Sequence, residues 1–255
     1  MLDHVAATWE GEVLPSLTDY IAIPALSPMF DPGWSDAGHI DGAVEHVRQW
    51  CAARPIDGLD VSVHRLPGRT PVIVADVAAS PGVPEGDTVL LYGHLDKQPP
   101  MDGWLEGLGP FSPVRRGDRL YGRGGADDGY AAFAALTAIE AVQRHGGRHA
   151  RCVLLVEASE ESGSPDLPAH IDALADRIGS PSLVVCLDSG CATYDRLWVT
   201  TSLRGLLGMA VRVQVLGEGV HSGSAGGVVP SSFRLLRQLL DRIEDAATGE
   251  LLLPE

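Results

Sequence analysis

The sequence has 255 residues and 45% apolar content, enough for one large domain, or one and a half typical ones, built around a real core. Thirty-four acidic against 19 basic residues leave a formal charge of −15, which repels phosphate backbones and anionic lipid and argues against nucleic-acid and membrane partners. Cys51, Cys152, Cys186 and Cys191 form no Cys-x-x-Cys pair, and Met1-Leu2-Asp3-His4 does not open a secretory signal, so the expectation is a soluble cytoplasmic protein without a thiolate zinc site.

In chain order, Leu2, Val5, Trp9, Val13, Leu17 and Ile21 fall at helical spacing, and Pro24 ends the helix they predict. A loop rich in Pro, Gly and Asp runs to Gly38. A helix over 40–51 follows, with Val44, Val47 and Trp50 on one face. Strands are predicted at 61–66, 71–77 and 88–92, the last continuously apolar as for a strand buried on both sides. A second loop, 99–117, and a short strand near Leu120 lead to the cluster Gly122-Arg123-Gly124-Gly125. A helix over 130–145 turns Phe133, Leu136, Ile139 and Val142 inward and stops at Gly146-Gly147. Buried strands at 151–156 and 183–187 flank a helix near 167–178.

Strands alternating with helices predict an α/β fold, a mostly parallel sheet with helices on both faces, over residues 1–198. Beyond it, 206–216 alternates apolar and polar residues as a half-exposed strand, and a helix is expected over 231–246. One strand and one helix cannot enclose a core. Residues 199–255 therefore read as the beginning of a second, α+β domain that this sequence leaves incomplete.

Four segments place acids or a histidine just after a predicted strand, where open α/β sheets bind ligands. In Tyr92-Gly93-His94-Leu95-Asp96, residues 94 and 96 share a face, so a carboxylate can orient the imidazole for a metal. Gly122-Arg123-Gly124-Gly125-Ala126-Asp127-Asp128-Gly129 opens a helix. Asp127 stands where a dinucleotide fingerprint has its third glycine, putting negative charge where a pyrophosphate would bind, and this suits a metal better. Glu157-Ala158-Ser159-Glu160-Glu161-Ser162-Gly163 sets two acids side by side; a cation relieves their repulsion, one acid binding it while the other accepts a proton. Cys186-Leu187-Asp188-Ser189-Gly190 again ends an apolar strand in an acid.

Taken singly, these are a strand-end hydrogen bond, a helix cap, a solvated acidic loop and a turn aspartate. Together they bring one histidine and several carboxylates to one sheet edge. Such an oxygen-rich site suits zinc, manganese or cobalt, and a carboxylate left free beside it is a general base. In Gly219-Val220-His221-Ser222-Gly223, His221 is either a surface-turn histidine or a donor to a substrate carbonyl. No Gly-x-Ser-x-Gly elbow supports a serine hydrolase. The other histidines lack such contexts, and Lys97, the only lysine, suggests no role from sequence.

Gly-His-Leu-Asp at 93–96, Gly-Arg-Gly-x-x-Asp-Asp at 122–128, Glu-Glu-Ser-Gly-Ser at 160–164, Leu-Asp-Ser at 187–189 and His-Ser-Gly at 221–223 resemble the co-catalytic zinc metallopeptidases. That superfamily includes carnosinases, cytosolic nonspecific dipeptidases, aminoacylases and succinyl-diaminopimelate desuccinylases. The stretch from Gln98 to Trp104, and the residues from Gly249 to Pro254, look like its dipeptidase branch. The resemblance implies two divalent ions, zinc foremost and manganese or cobalt as alternatives. His94 and Asp188 would bind one, Glu161 the other, and Asp127 would bridge them. Asp96 would orient His94, and Glu160 would be the general base and acid.

The resemblance also implies a cis peptide after Asp127 and a lid domain that joins two copies, with His221 reaching the partner's site. The family's last metal-binding histidine would fall beyond Glu255, which leaves the second ion one ligand short. The expected function is metal-dependent hydrolysis of the amide bond of a dipeptide or short peptide. The alternatives are an N-acyl amino acid deacylase or desuccinylase on the same site, or a non-catalytic fragment that keeps metal and serves as a dimerisation scaffold.

Overall fold

The N-terminal apolar stripe forms one helical rod: α1 (Leu2–Thr8), a π turn at Trp9–Val13, and α2 (Leu14–Ala22). Val13, Leu17, Tyr20 and Ile21 are its buried face. Ile23 turns extended (φ −80°, ψ 119°), the conformation that a following proline favours. This is a computed structural model describing residues 1–84 and 86–252. The chain divides into two units, Met1–Val199 and Thr200–Glu255.

In the first unit the rod is followed by α3 (Trp34–Ala37), α4 (His39–Ala52), β1 (Leu59–His64), β2 (Val72–Val77) and β3 (Thr88–His94). A hairpin of β4 (Val114–Arg116) and β5 (Arg119–Tyr121) precedes α5 (Ala131–Arg144) and β6 (Arg151–Glu157). The helix expected over 167–178 breaks at Leu174 (φ −103°, ψ 8°) into α6 (Leu167–Ala173) and α7 (Ala175–Ile178), ahead of β7 (Leu183–Cys186).

The five-stranded sheet has the order β1-β2-β6-β3-β7. Its α/β class is as expected, and its pairing is mixed. β3 runs parallel to β6 and β7, whereas β2 is antiparallel to β1 and β6. The alternation of side chains divides two cores. Ile73, Ala75, Val77, Leu154 and Val156 meet the rod, α4 and α5 on one face. Val72, Val74, Val153 and Leu155 meet Leu174 and Ile178 on the other. Because β3, β6 and β7 are parallel, their carboxyl ends lie at one edge, and the site is built there.

The second unit contains α8 (Ser222–Ala225) and α9 (Ser232–Leu240). The strand expected over 206–216 does not form. Leu206, Leu207 and Met209 are exposed, and an alternating segment becomes a strand only when a neighbour takes its backbone hydrogen bonds. The helix expected over 231–246 starts where Ser231 Oγ accepts the Arg234 N–H and ends at Leu240. Beyond it, Asp245 Oδ1 accepts the backbone N–H groups of Ala247 and Thr248, a local turn that competes with helix. Residues 253 and 254 of the stretch that resembles dipeptidases lie outside the described residues. No helix among the described residues is long and apolar enough to cross a membrane.

Candidate metal centre

His94 ends β3 and Glu157 ends β6, paired in register. Asp127 arrives on the glycine turn that precedes α5, where the Asp127–Asp128 peptide is cis. Asp188 follows β7 by two residues. One ligand atom each from His94, Asp127 and Asp188 lies within 4.8 Å of the others, a spacing that can hold a metal ion. His94 Nε2 stands 3.2 Å from Asp127 Oδ1, 3.8 Å from Asp188 Oδ2 and 3.9 Å from Glu160 Oε2. The imidazole is fully buried, whereas the three carboxylates remain partly exposed, so the cluster opens to solvent on its acid side.

Glu161 is beside Asp127 but does not join the three-residue cluster. Its Oε2 accepts from Gln98 Nε2, and its Oε1 is buried without a partner.

Asp96 sits against His94 and also holds the acid loop. The Nδ1–H of His94 is 3.1 Å from the backbone oxygen of Asp96 and 3.5 Å from its carboxylate. A backbone carbonyl fixes an imidazole tautomer as well as a carboxylate does. The carboxylate also accepts the backbone N–H groups of Glu160 (3.1 Å) and Glu161 (3.0 Å). Asp96 thereby fixes the acid loop and the histidine together.

Other anchoring residues carried no recognisable signal. Buried Glu157 accepts from Tyr92 Oη (2.6 Å), Ser159 Oγ (3.0 Å) and Ser164 Oγ (2.7 Å), which ties the acid loop to β3 and β6. Ser162 Oγ bonds Ser27 Oγ (2.5 Å) and accepts from the Met29 N–H, bringing the 24–31 loop to the same place. Asp128 Oδ2 accepts the His94 N–H at 3.2 Å. Gly93 leaves room for that contact, because a Cβ there would lie 2.5 Å from Ala131 Cβ and 2.8 Å from Asp128 Oδ2.

The electrostatics are those of a site short of positive charge. Burial works against a charged His94. The hydrogen bonds to Asp127 and Asp96 and the charges of Asp96 and Asp128 outweigh it, and the pKa is pushed up to about 11. Asp127 is held low by its hydrogen bond to His94. Burial raises Asp128 to about 8 and Glu161 to about 7, and it raises Glu160 as well. Glu161 Oε1 is buried without a hydrogen-bond partner, and an unpaired buried lone pair is costly. His94 Nε2 faces the carboxylates of Asp127 (3.2 Å), Glu160 (3.9 Å) and Asp188 (3.8 Å). A divalent cation satisfies such atoms and the crowded carboxylates together, so the donor set fits a metal.

His221 belongs to the second unit. It precedes α8, is exposed, and its Nδ1 accepts the Gly223 N–H at 3.1 Å.

Comparison with known proteins fits this chemistry. The profile of the peptidase family M20/M25/M40 matches residues 90–213. The chain is 32% identical over 205 residues to a cysteinylglycine-S-conjugate dipeptidase of Corynebacterium striatum, which covers 79% of this chain and 44% of that protein. It is 30% identical over 255 residues to the Beta-Ala-His dipeptidase of Homo sapiens, covering 96% and 49%. Among solved structures, the dipeptidase Dug1p of Saccharomyces cerevisiae superposes with a TM-score of 0.65 at 22% identity, covering 99% of this chain and 53% of that one. The chain spans about half the length of the curated relatives it matches. The profile match takes in His94, Asp127, Glu160, Glu161 and Asp188, so the residues of the centre lie within the stretch that is similar to the peptidase family M20/M25/M40.

Proposed function

We propose that the chain forms the metal-binding part of a dipeptidase, in which Glu160 moves the proton during amide hydrolysis. The observation that supports this most is the meeting of His94, Asp127 and Asp188 at one strand edge with Glu160 beside them. In this reading His94 and Asp188 would hold one divalent ion, Glu161 would serve a second, and Asp127 would serve both. One imidazole among carboxylates suits zinc, with manganese and cobalt as alternatives. Bound there, such ions supply the positive charge that acidifies water and polarises a carbonyl.

The chain's own residues do the rest. Glu160 accepts the proton of the attacking water and returns it to the leaving amine. Its partial burial, which raises its pKa, makes it a stronger base than a free carboxylate. Asp96 fixes the backbone of Glu160 and Glu161 while its carbonyl holds the His94 tautomer. Residues 1–198 act as the catalytic domain and residues 199–255 as part of a lid that joins two copies. His221 of one copy donates to the scissile carbonyl in the other. Four free thiols accord with a reducing, cytoplasmic setting.

The names of the relatives direct the test toward short peptides. Cys-Gly and β-Ala-His are offered to the zinc-loaded chain beside N-acetyl and N-succinyl amino acids, with and without a chelator. The reading expects cleavage of at least one dipeptide, lost with the chelator and restored by zinc. Release of acetate or succinate without dipeptide cleavage moves the assignment to a deacylase, and no metal-dependent hydrolysis of any kind overturns it.

A further inference from the structure

The segment after β3 alternates. His94, Asp96 and Gln98 engage the metal centre and the acid loop. Leu95 and Lys97 turn the opposite way, toward the end of α2. Lys97 is fully buried, and its three ammonium donors all go to backbone carbonyls. Nζ donates to Tyr20 O (2.8 Å), Ile21 O (3.2 Å) and Ile23 O (2.6 Å). These carbonyls belong to the carboxyl end of α2, where a helix leaves acceptors unpaired and its dipole favours a cation. The ring of Tyr20 lies 4.1 Å from Nζ and adds a second favourable face. Tyr20 Oη donates to Leu95 O at 2.8 Å, so the helix end and the segment are fastened twice.

The lysine stem has a different neighbour. Gly124, at φ +85°, lies so close that a Cβ there would be 2.6 Å from Lys97 Cε and 2.9 Å from both Cδ and Cγ. Tyr20 fills the space beside Gly129 in the same way, 2.1 Å from a Cβ built there. The turn that carries Asp127 therefore rests on Tyr20 and on Lys97, which follows His94 by three residues.

We infer that Lys97 is a positioning residue for the metal centre: its ammonium seals the end of α2 while its stem sets the height of the Gly124 turn, and together they fix Asp127 against His94. Burial draws the Lys97 pKa down to about 7, whereas the carbonyls and the Tyr20 ring favour the cation. The inference rests on the metal-site reading above.

Lys97→Met keeps the length of the stem and removes the ammonium. Zinc affinity of this variant and of the parent chain is measured by competition with a chromogenic chelator, and thermal unfolding is followed on both without metal. A positioning role weakens zinc binding by about 10–100-fold, as loss of an outer partner does elsewhere, in a variant whose far-ultraviolet circular dichroism matches the parent. A merely structural role lowers the unfolding midpoint and leaves the affinity of the folded chain unchanged; that result overturns the inference and spares the metal site. If the parent chain binds no zinc, the metal-site reading fails and this inference fails with it.

Should the variant not fold, the parent chain decides. With ¹⁵N-labelled lysine it has one Nζ resonance. At pH 6 that resonance should show ammonium hydrogens in slow exchange, and it should shift as zinc is added. A rapidly exchanging ammonium that does not respond to zinc overturns the inference.

Discussion

Glu160→Gln lowers peptide turnover by about 10²–10⁴-fold, the share that general acid–base catalysis commonly supplies, and leaves metal content unchanged. The two effects separate because Glu160 stands next to the cluster without belonging to it. His94, Asp127 and Asp188 each offer a ligand atom within 4.8 Å of the others, and Glu160 is not one of that set. Its backbone is fixed independently of its side chain by Asp96, so the amide variant keeps the loop in place. Turnover by steady-state kinetics and metal by elemental analysis check this. A Glu160→Gln chain that turns over at the parent rate would assign the proton transfer elsewhere, and one that loses metal would make Glu160 a ligand.

Asp127→Ala removes metal binding far more severely than any change around the cluster, by more than the roughly 10–100-fold typical of outer partners. Asp127 is the carboxylate nearest to His94 Nε2, and it is also the one whose hydrogen bond most supports the charged imidazole. Its loss takes a ligand from one ion and, in the proposed arrangement, the bridge to the other. Zinc titration monitored by calorimetry measures the effect. An Asp127→Ala chain that binds zinc with the parent's affinity and stoichiometry would remove Asp127 from the site.

The parts of the site that were legible share one cause. Parallel strands end at a common edge, so an acid or histidine written directly after each apolar run is delivered to the same place. His94, the Glu160–Glu161 pair and Asp188 meet for that reason, and Asp127 is brought to them by the glycine turn before α5. What stayed hidden depends on approaches across the fold. Lys97 reaches carbonyls 74 to 77 residues earlier, and Tyr92 reaches Glu157 65 residues later; neither spacing has a pattern to read. Asp96 was legible as a neighbour of His94, but the pull of two backbone N–H groups on its carboxylate was not. The 206–216 segment shows the converse, since its period of two was clear while no described residue pairs with it as a strand. The mostly parallel sheet was legible, and only the reversed direction of β2 escaped, for a related reason: an apolar run states that a strand is buried, not which way its neighbours run.

The most direct test is a crystal of this chain soaked in zinc, with anomalous scattering recorded at the zinc edge. The account predicts a peak about 2.0–2.2 Å from His94 Nε2 and from carboxylate oxygens of Asp127 and Asp188. A zinc peak bound away from these three residues, or none at a concentration that saturates binding in solution, would contradict it.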